Sequence, residues 1–150
     1  MQIIHQQRIV EDAWQYLGDD EQIPSSGDVV VSLGRWKTQK NQLSERGGRL
    51  GVTVGPDDAL EELAKELAGL DLIVLEFPRY NDGRSFSKAR LLRSRYGYEG
   101  ELRARGEVMR DHLDLMNRCG IDSMELRAGE DLEAALSAFG EIGGSYQRAG

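Results

Sequence analysis

The sequence predicts an α/β protein in which about four βα units form a mostly parallel, layered sheet behind a short β-rich N-terminal entry. Three observations carry this. From Leu50 onward, short apolar runs alternate with segments whose apolar residues recur at helical spacing. Glycine or proline stands at most of the junctions. The run LDLIVLEF at Leu70–Phe77 is almost continuously apolar, as expected of a strand covered on both faces. A chain of 150 residues, 39% of them apolar, fits one domain with one core and leaves no room for a second full-sized domain. It divides into residues 1–49, an entry of strands and a helix; 50–140, the βα repeats; and 141–150, a loose glycine-rich tail.

Gln2–Ile4 and Arg8–Val10 read as entry strands, and VVVSL at Val29–Leu33 as a stronger one after the turn-prone PSSGD. Lys37–Arg46 reads as a surface helix ended by Gly47 and Gly48. LGVTV at Leu50–Val54 is the next strand. Pro56, Asp57 and Asp58 open a helix over Ala59–Leu67, with Leu60, Leu63, Ala64 and Leu67 on one face. After Leu70–Phe77, Pro78 stops the strand and Tyr80–Gly83 turns. Phe86–Tyr96 is helical, with Ala89, Leu92 and Tyr96 sharing a face, and Gly97 terminates it. ELRAR at Glu101–Arg105 is a strand. Glu107–Arg118 is a helix with Val108, Leu115 and Met116 inward, and SMELR at Ser123–Arg127 is a strand. Asp131 caps a last helix over Leu132–Phe139. Helices of this length are natural right-handed crossovers between parallel neighbours. Four units build an open layered sheet or, alternatively, a partial barrel; eight units do not fit.

The net charge of -7 is uneven: residues 1–83 carry -7, residues 84–127 carry +3, and residues 128–150 carry -3. The acidic total argues against nucleic acid or anionic membranes as partners, while the central basic excess allows a local anion site. No apolar run approaches the roughly 20 residues that span a bilayer, and MQIIHQQRIVEDAW lacks the pattern of a signal peptide. With one cysteine, Cys119, there is no intrachain disulfide framework. These features suit a cytoplasmic protein.

Chemistry concentrates after the strongest strand, where open α/β sheets bind ligands, above all where strand order reverses. Glu76 interrupts the apolar run and reads as a carboxylate at the mouth of the sheet, needing a partner that Arg103 or Arg105 could supply. Asp82-Gly83 is a turn dipeptide. Beyond it Arg84 and Ser87 stand at a helix start, where amides, hydroxyl and guanidinium together suit an oxyanion. Arg90 and Arg93 are spaced to lie along one helical edge. Arg103 and Arg105, alternating with Leu102 and Ala104, and Arg127 with Glu125 form either a salt-bridged ligand floor or a wet sheet edge. The plain alternative for all these arginines is a solvated helix face or a structural ion pair. No phosphate loop, dinucleotide fingerprint or cysteine cluster is present. His112 follows Asp111, and adjacent helical residues do not face each other. Cys119 sits at the wrong helix end for a thiolate. The residues name no cofactor.

The segment EFPRYNDGRSFSKARLLRSRYGYEGELRARGEVMRDHLDLMNRCGIDSMELR resembles the bacterial family called domain of unknown function 934. The matching residues are Phe77-Pro78, Asp82-Gly83-Arg84, Ser87 through Arg93, Gly100 through Ala104, and Glu125 through Arg127. VVVSLGRW ending at Trp36, Asp111 and Ser145-Tyr146-Gln147 extend the likeness over about residues 28–147. One position departs: Phe86 stands where the family often has a tyrosine. The family's members are often encoded beside assimilatory sulfite reductase, and some carry the label oxidoreductase. The resemblance implies an accessory protein of sulfite reduction; with the cationic corner described above, it would bind the reductase or a small anion through Arg84, Ser87, Arg90 and Arg93, with Asp82 shaping the turn of that site. Two alternatives remain open. One is a small enzyme on an anionic metabolite, with Glu76 or Asp111 as acid or base. The other is a structural module, and self-association is compatible with any of the three.

Overall fold

The computed structural model describes residues 1–137 and 139. The entry is a hairpin, β1 (Gln2–His5) and β2 (Arg8–Glu11), closed by Gln6 and Gln7 at φ 52° and 62°. Those left-handed values define the two-residue turn that matches strand twist. A strand the sequence did not disclose follows, β3 (Gln15–Tyr16). Next come β4 (Val29–Ser32), α1 (Leu33–Thr38), α2 (Lys40–Ser44), β5 (Leu50–Val54) and α3 (Glu61–Ala64). The chain continues through β6 (Leu72–Phe77), α4 (Gly83–Arg90), β7 (Glu101–Gly106), α5 (Leu113–Arg118) and β8 (Ser123–Met124). Residues 132–137 are helical, and Asp131 Oδ1 caps them by accepting from the Glu133 amide at 2.9 Å. The tail read as loose, 141–150, lies outside the described residues.

The eight strands form one mixed sheet in the order β2-β1-β8-β7-β6-β5-β4-β3. Strands β3 to β8 run parallel in sequence order, and the hairpin joins antiparallel through β1 to β8, Ile4 facing Met124. Because the order never reverses and parallel crossovers share one hand, the helices fall on a single face. There is accordingly no switch point of the doubly wound kind.

The layered, doubly covered sheet is the expectation that gives way; the sheet is curled, closer to the partial barrel. A flat eight-stranded sheet would hold its outer strands about 34 Å apart. Only Asp12, Ala13 and Trp14 connect β2 to β3, a reach of about 14 Å at full extension. The two edges must therefore bend toward each other. The apolar run of β6 has this origin. Ile73, Leu75 and Phe77 face the helices in the main core. Leu72 and Val74 face the concave side, where Trp14 and Val30 bury them in a second, smaller core with Tyr16 against it.

Several boundaries moved for local reasons. Ser32 ends β4 early because its hydroxyl accepts from the Arg35 amide at 3.2 Å and starts α1. The helix expected over Ala59–Leu67 is one turn followed by a 3-10 turn at Leu67–Gly69. Asp82 caps α4, which starts at Gly83 rather than Phe86 and ends in a π turn, Leu91–Arg95. Gly106, at φ 111°, sends the chain away from helix, so α5 begins only after a 3-10 turn at Arg110–His112. Leu113 and Met116 take the inward positions of α5, and Leu115 is exposed. SMELR is strand only at its start; the Arg127 amide bonds instead to the Val108 carbonyl.

Candidate functional site

Two polar places lie at the carboxyl ends of the parallel strands, where barrel-like and open α/β sheets both present their loops. The first is an open cleft of about 1020 Å³ between the β6–α4 loop and α4. Arg84, Ser87 and Lys88 of α4 and Leu91 at the start of its π turn stand at i, i+3, i+4 and i+7 and so form one stripe. Pro78, Arg79 and Asn81 form the facing wall. The guanidinium of Arg84 is occupied: it donates to Asp82 at 2.8 and 3.1 Å and pairs with Asp57. Lys88 donates to the Pro56 carbonyl at 2.6 Å. Ser87 is exposed, and it is Ser85 whose hydroxyl is used structurally, donating to the Glu76 carbonyl at 2.7 Å.

Hydrogen bonds from Arg84 hold the Asp82 carboxyl below the usual aspartate range, against the opposing effect of burial. Because the folded-state carboxyl titrates below the unfolded one, its stabilising contribution is complete above the ordinary aspartate value of about 3.9 and fades as pH falls through the folded-state value. An Asp82→Asn variant is therefore expected to show a shallower loss of stability on acidification below about pH 4. Paired thermal melts at pH 3 and pH 6 measure this, and an unchanged difference would contradict it.

Arg90 and Arg93 do not join this cleft. Arg90 is exposed, with no side-chain hydrogen bond or ion pair among the described residues. Arg93 points to the opposite side of the helix. Its Nε donates to the Gly120 carbonyl, and one Nη donates to the carbonyls of Tyr98 and Gly100, each at 2.8 Å. The π turn widens the helix where this side chain reaches across.

The second place is the mouth of the curled sheet. Strand alternation puts Leu72, Val74 and Glu76 of β6 on the concave face with Arg103 and Arg105 of β7. Arg103 is only 1% exposed. It donates to Ser123 Oγ at 2.9 Å, Tyr16 Oη at 3.0 Å and Glu101 at 2.8 Å, and pairs with Asp12 at 3.1 Å. Burial alone would lower its pKa, but Tyr16 and Glu101 outweigh that and raise it. Burial likewise pushes the Tyr16 phenol up. Toward the mouth, the Arg105 guanidinium lies 4.0 Å from the Tyr16 ring centroid and its Nε donates to Glu125 at 3.1 Å.

Glu76 opens on this mouth and is exposed. Neither Arg103 nor Arg105 pairs with it, and its carboxylate has no hydrogen bond or ion pair among the described residues. Arg127 reaches Glu107 and Glu130, each at 3.5 Å. Asp111 is exposed on its 3-10 turn and lines neither place. His112 packs against Tyr80, ring centroids 4.9 Å apart. Cys119 is buried and unpaired. Among the described residues no group of histidine, cysteine and carboxylates could hold a metal ion.

Sequence reasoning did not find Asp12, Trp14 and Tyr16. The Arg103–Tyr16 bond spans 87 positions, and no local pattern signals it. The one available hint was Arg103 itself, a cation in an otherwise apolar strand.

Fold and site together define a singly wound, curled α/β protein with charged loops gathered at the carboxyl ends of its strands. Residues 51–150 match the family described as bacterial protein of unknown function (DUF934), and the chain belongs to this family. No curated protein matches it at significance.

Proposed function

We propose that this protein is a binding module that docks onto a partner protein of assimilatory sulfite reduction through the β6–α4 cleft. The observation that carries the docking is the stripe Arg84, Ser87, Lys88 and Leu91 facing Pro78 and Arg79. The surface is open and charged, and apolar side chains stand proud of it: Leu91 is 37% exposed and the nearby Tyr80 45%. An open surface mixing cations with an aromatic and a leucine suits a protein face better than a small substrate, which favours an enclosed pocket. Sulfite reduction as the setting rests on the family resemblance, whose members often lie beside the reductase. Among the described residues no helix is long and apolar enough to cross a membrane, and this reading puts the protein in the cytoplasm with the reductase.

The enzyme reading asks Glu76 or Asp111 to meet arginine-held substrate in one deep pocket: Glu76 shares the mouth of the sheet with Arg105 and Arg127, while Asp111 lines neither place.

Deletion of the gene is expected to prevent growth on sulfate and on sulfite while sulfide restores it. Wild-type growth on sulfate would sink the role. Immobilised protein is expected to retain the reductase from extract. Leu91→Asp and Arg79→Glu, both at exposed positions, should abolish retention with thermal midpoints within a few degrees of wild type. Retention by both variants would place the docking elsewhere.

A further inference from the structure

The mouth of the curled sheet holds a second cavity, of about 490 Å³, lined among others by Glu76, Arg105, Gly106, Glu107, Glu125 and Arg127. Its chemistry differs from that of the cleft on α4. Glu76 and Arg105 are register partners on adjacent parallel strands, on the same face. Neighbours of opposite charge so placed, with side chains this long, ordinarily close on each other. Here they do not: the Glu76 carboxylate is unengaged among the described residues, and Arg105 pairs with Glu125 instead.

Arg105 is also held in place. The Tyr16 ring supports the face of its guanidinium, and Glu125 fixes the Nε edge. Both Nη groups are left without a hydrogen-bond partner among the described residues, on a side chain that is 37% exposed. A guanidinium fixed on one face and one edge presents a planar pair of donors, which suits a carboxylate. A dianion is disfavoured there, because Glu76 stands beside the donors. Glu125 adds an acceptor: its Oε1 is buried without a partner among the described residues. Buried polar atoms ordinarily find one. A ligand satisfying the mouth thus needs an anionic group for Arg105 and a cationic donor for Glu76, its register partner on the adjacent strand.

We propose that the mouth binds a small zwitterion of the α-amino-acid type, its carboxylate on the Nη edge of Arg105 and its ammonium on Glu76. Arg127 stands at the rim of the cavity, held between Glu107 and Glu130. The site is independent of the docking surface on α4, and neither stands or falls with the other.

The test is an amide chemical-shift titration of the full chain at neutral pH with glycine, L-alanine and L-serine. Acetate and methylammonium, each carrying half of the zwitterion's charge, are the controls. Saturable shifts confined to the amides around Glu76, Arg105–Glu107 and Glu125–Arg127 are expected for the amino acids. Each half should bind about tenfold or more weakly, since one charge-assisted hydrogen-bond set is lost. Glu76→Gln, at an exposed position, should fold as wild type and bind the amino acids about tenfold or more weakly. The proposal is overturned if no amino acid shifts these amides, if acetate or methylammonium binds as well as glycine, or if Glu76→Gln binds unchanged.

Discussion

Arg103→Ala is expected to lower the stability of the protein by about 3–5 kcal/mol, the range found when one partner of a buried ion pair is removed. The reason lies in what is left behind. Asp12 and Glu101 have side chains only 5% and 12% exposed, and both meet the guanidinium of Arg103. Without it two carboxylates remain out of water with their main counter-charge gone, and the Tyr16 hydroxyl and Ser123 Oγ lose their donor. Arg103→Lys keeps the charge but loses the planar fork that reaches four groups, so it should recover only part of the loss. Adding Asp12→Asn and Glu101→Gln to Arg103→Met should cost less than Arg103→Met alone, because the stranded charges go with their partner. Urea unfolding followed by circular dichroism measures all four. A change below about 1 kcal/mol for Arg103→Ala would mean that water already reaches the network.

Trp14→Ala is expected to cost a similar amount, about 3–5 kcal/mol, by cavity creation. Trp14 is 8% exposed and, among the described residues, shares the concave core with Val30, Leu72 and Val74, Tyr16 packing against it, while Arg49 covers its ring at 4.7 Å. A core of so few side chains cannot collapse around the loss of an indole, so the void persists. Trp36, buried against the helix layer, remains as the fluorescence reporter for the urea titration. Amide exchange should also quicken at Gln15 and Leu17, whose amides bond to Asp28 and Val30 and tie β3 to the sheet. Unaltered exchange there, with stability within about 1 kcal/mol of wild type, would show that the indole is not what holds the edge.

How much of this was legible in the sequence depends on how far each interaction reaches along the chain. Strand β5 was read to the residue, and the hairpin, β6 and β7 within two, because each is set by its own alternation and punctuation. The cap at Asp131 was likewise local. The curl was not legible, because it is fixed by three residues between β2 and β3 and by an arginine far downstream. Continuous apolarity in β6 was ambiguous for the same reason: helices on both faces and a curled sheet demand the same residues of a central strand. In the site, Arg84 and Ser87 were read at the start of a helix, where they stand, while Asp82 was read as a turn residue and is the helix cap. The grouping of Arg84 with Arg90 and Arg93 was not. The helix sets Lys88 and Leu91 beside Arg84 and turns Arg93 away. Arg103 and Arg105 were read as sharing a face, which they do, but alternation could not say that one would be sealed within and the other left at the rim.

The short connection from β2 to β3 bears on how the molecule comes to exist. The first strand of the chain finds its non-hairpin partner in the last of the parallel strands, Ile4 against Met124. The hairpin can pair within itself and β3 with β4, but β1 lacks its second neighbour until β8 has been made, while β4 to β7 can associate neighbour by neighbour as they emerge. Contacts of such long sequence separation are slow to form, because the loop-closure entropy must be met first. A nascent chain would carry Trp14 without its partners Leu72 and Val74 until β6 has been made. Until the N-terminal segment settles across them, the inner face of the sheet is a surface that other chains can find.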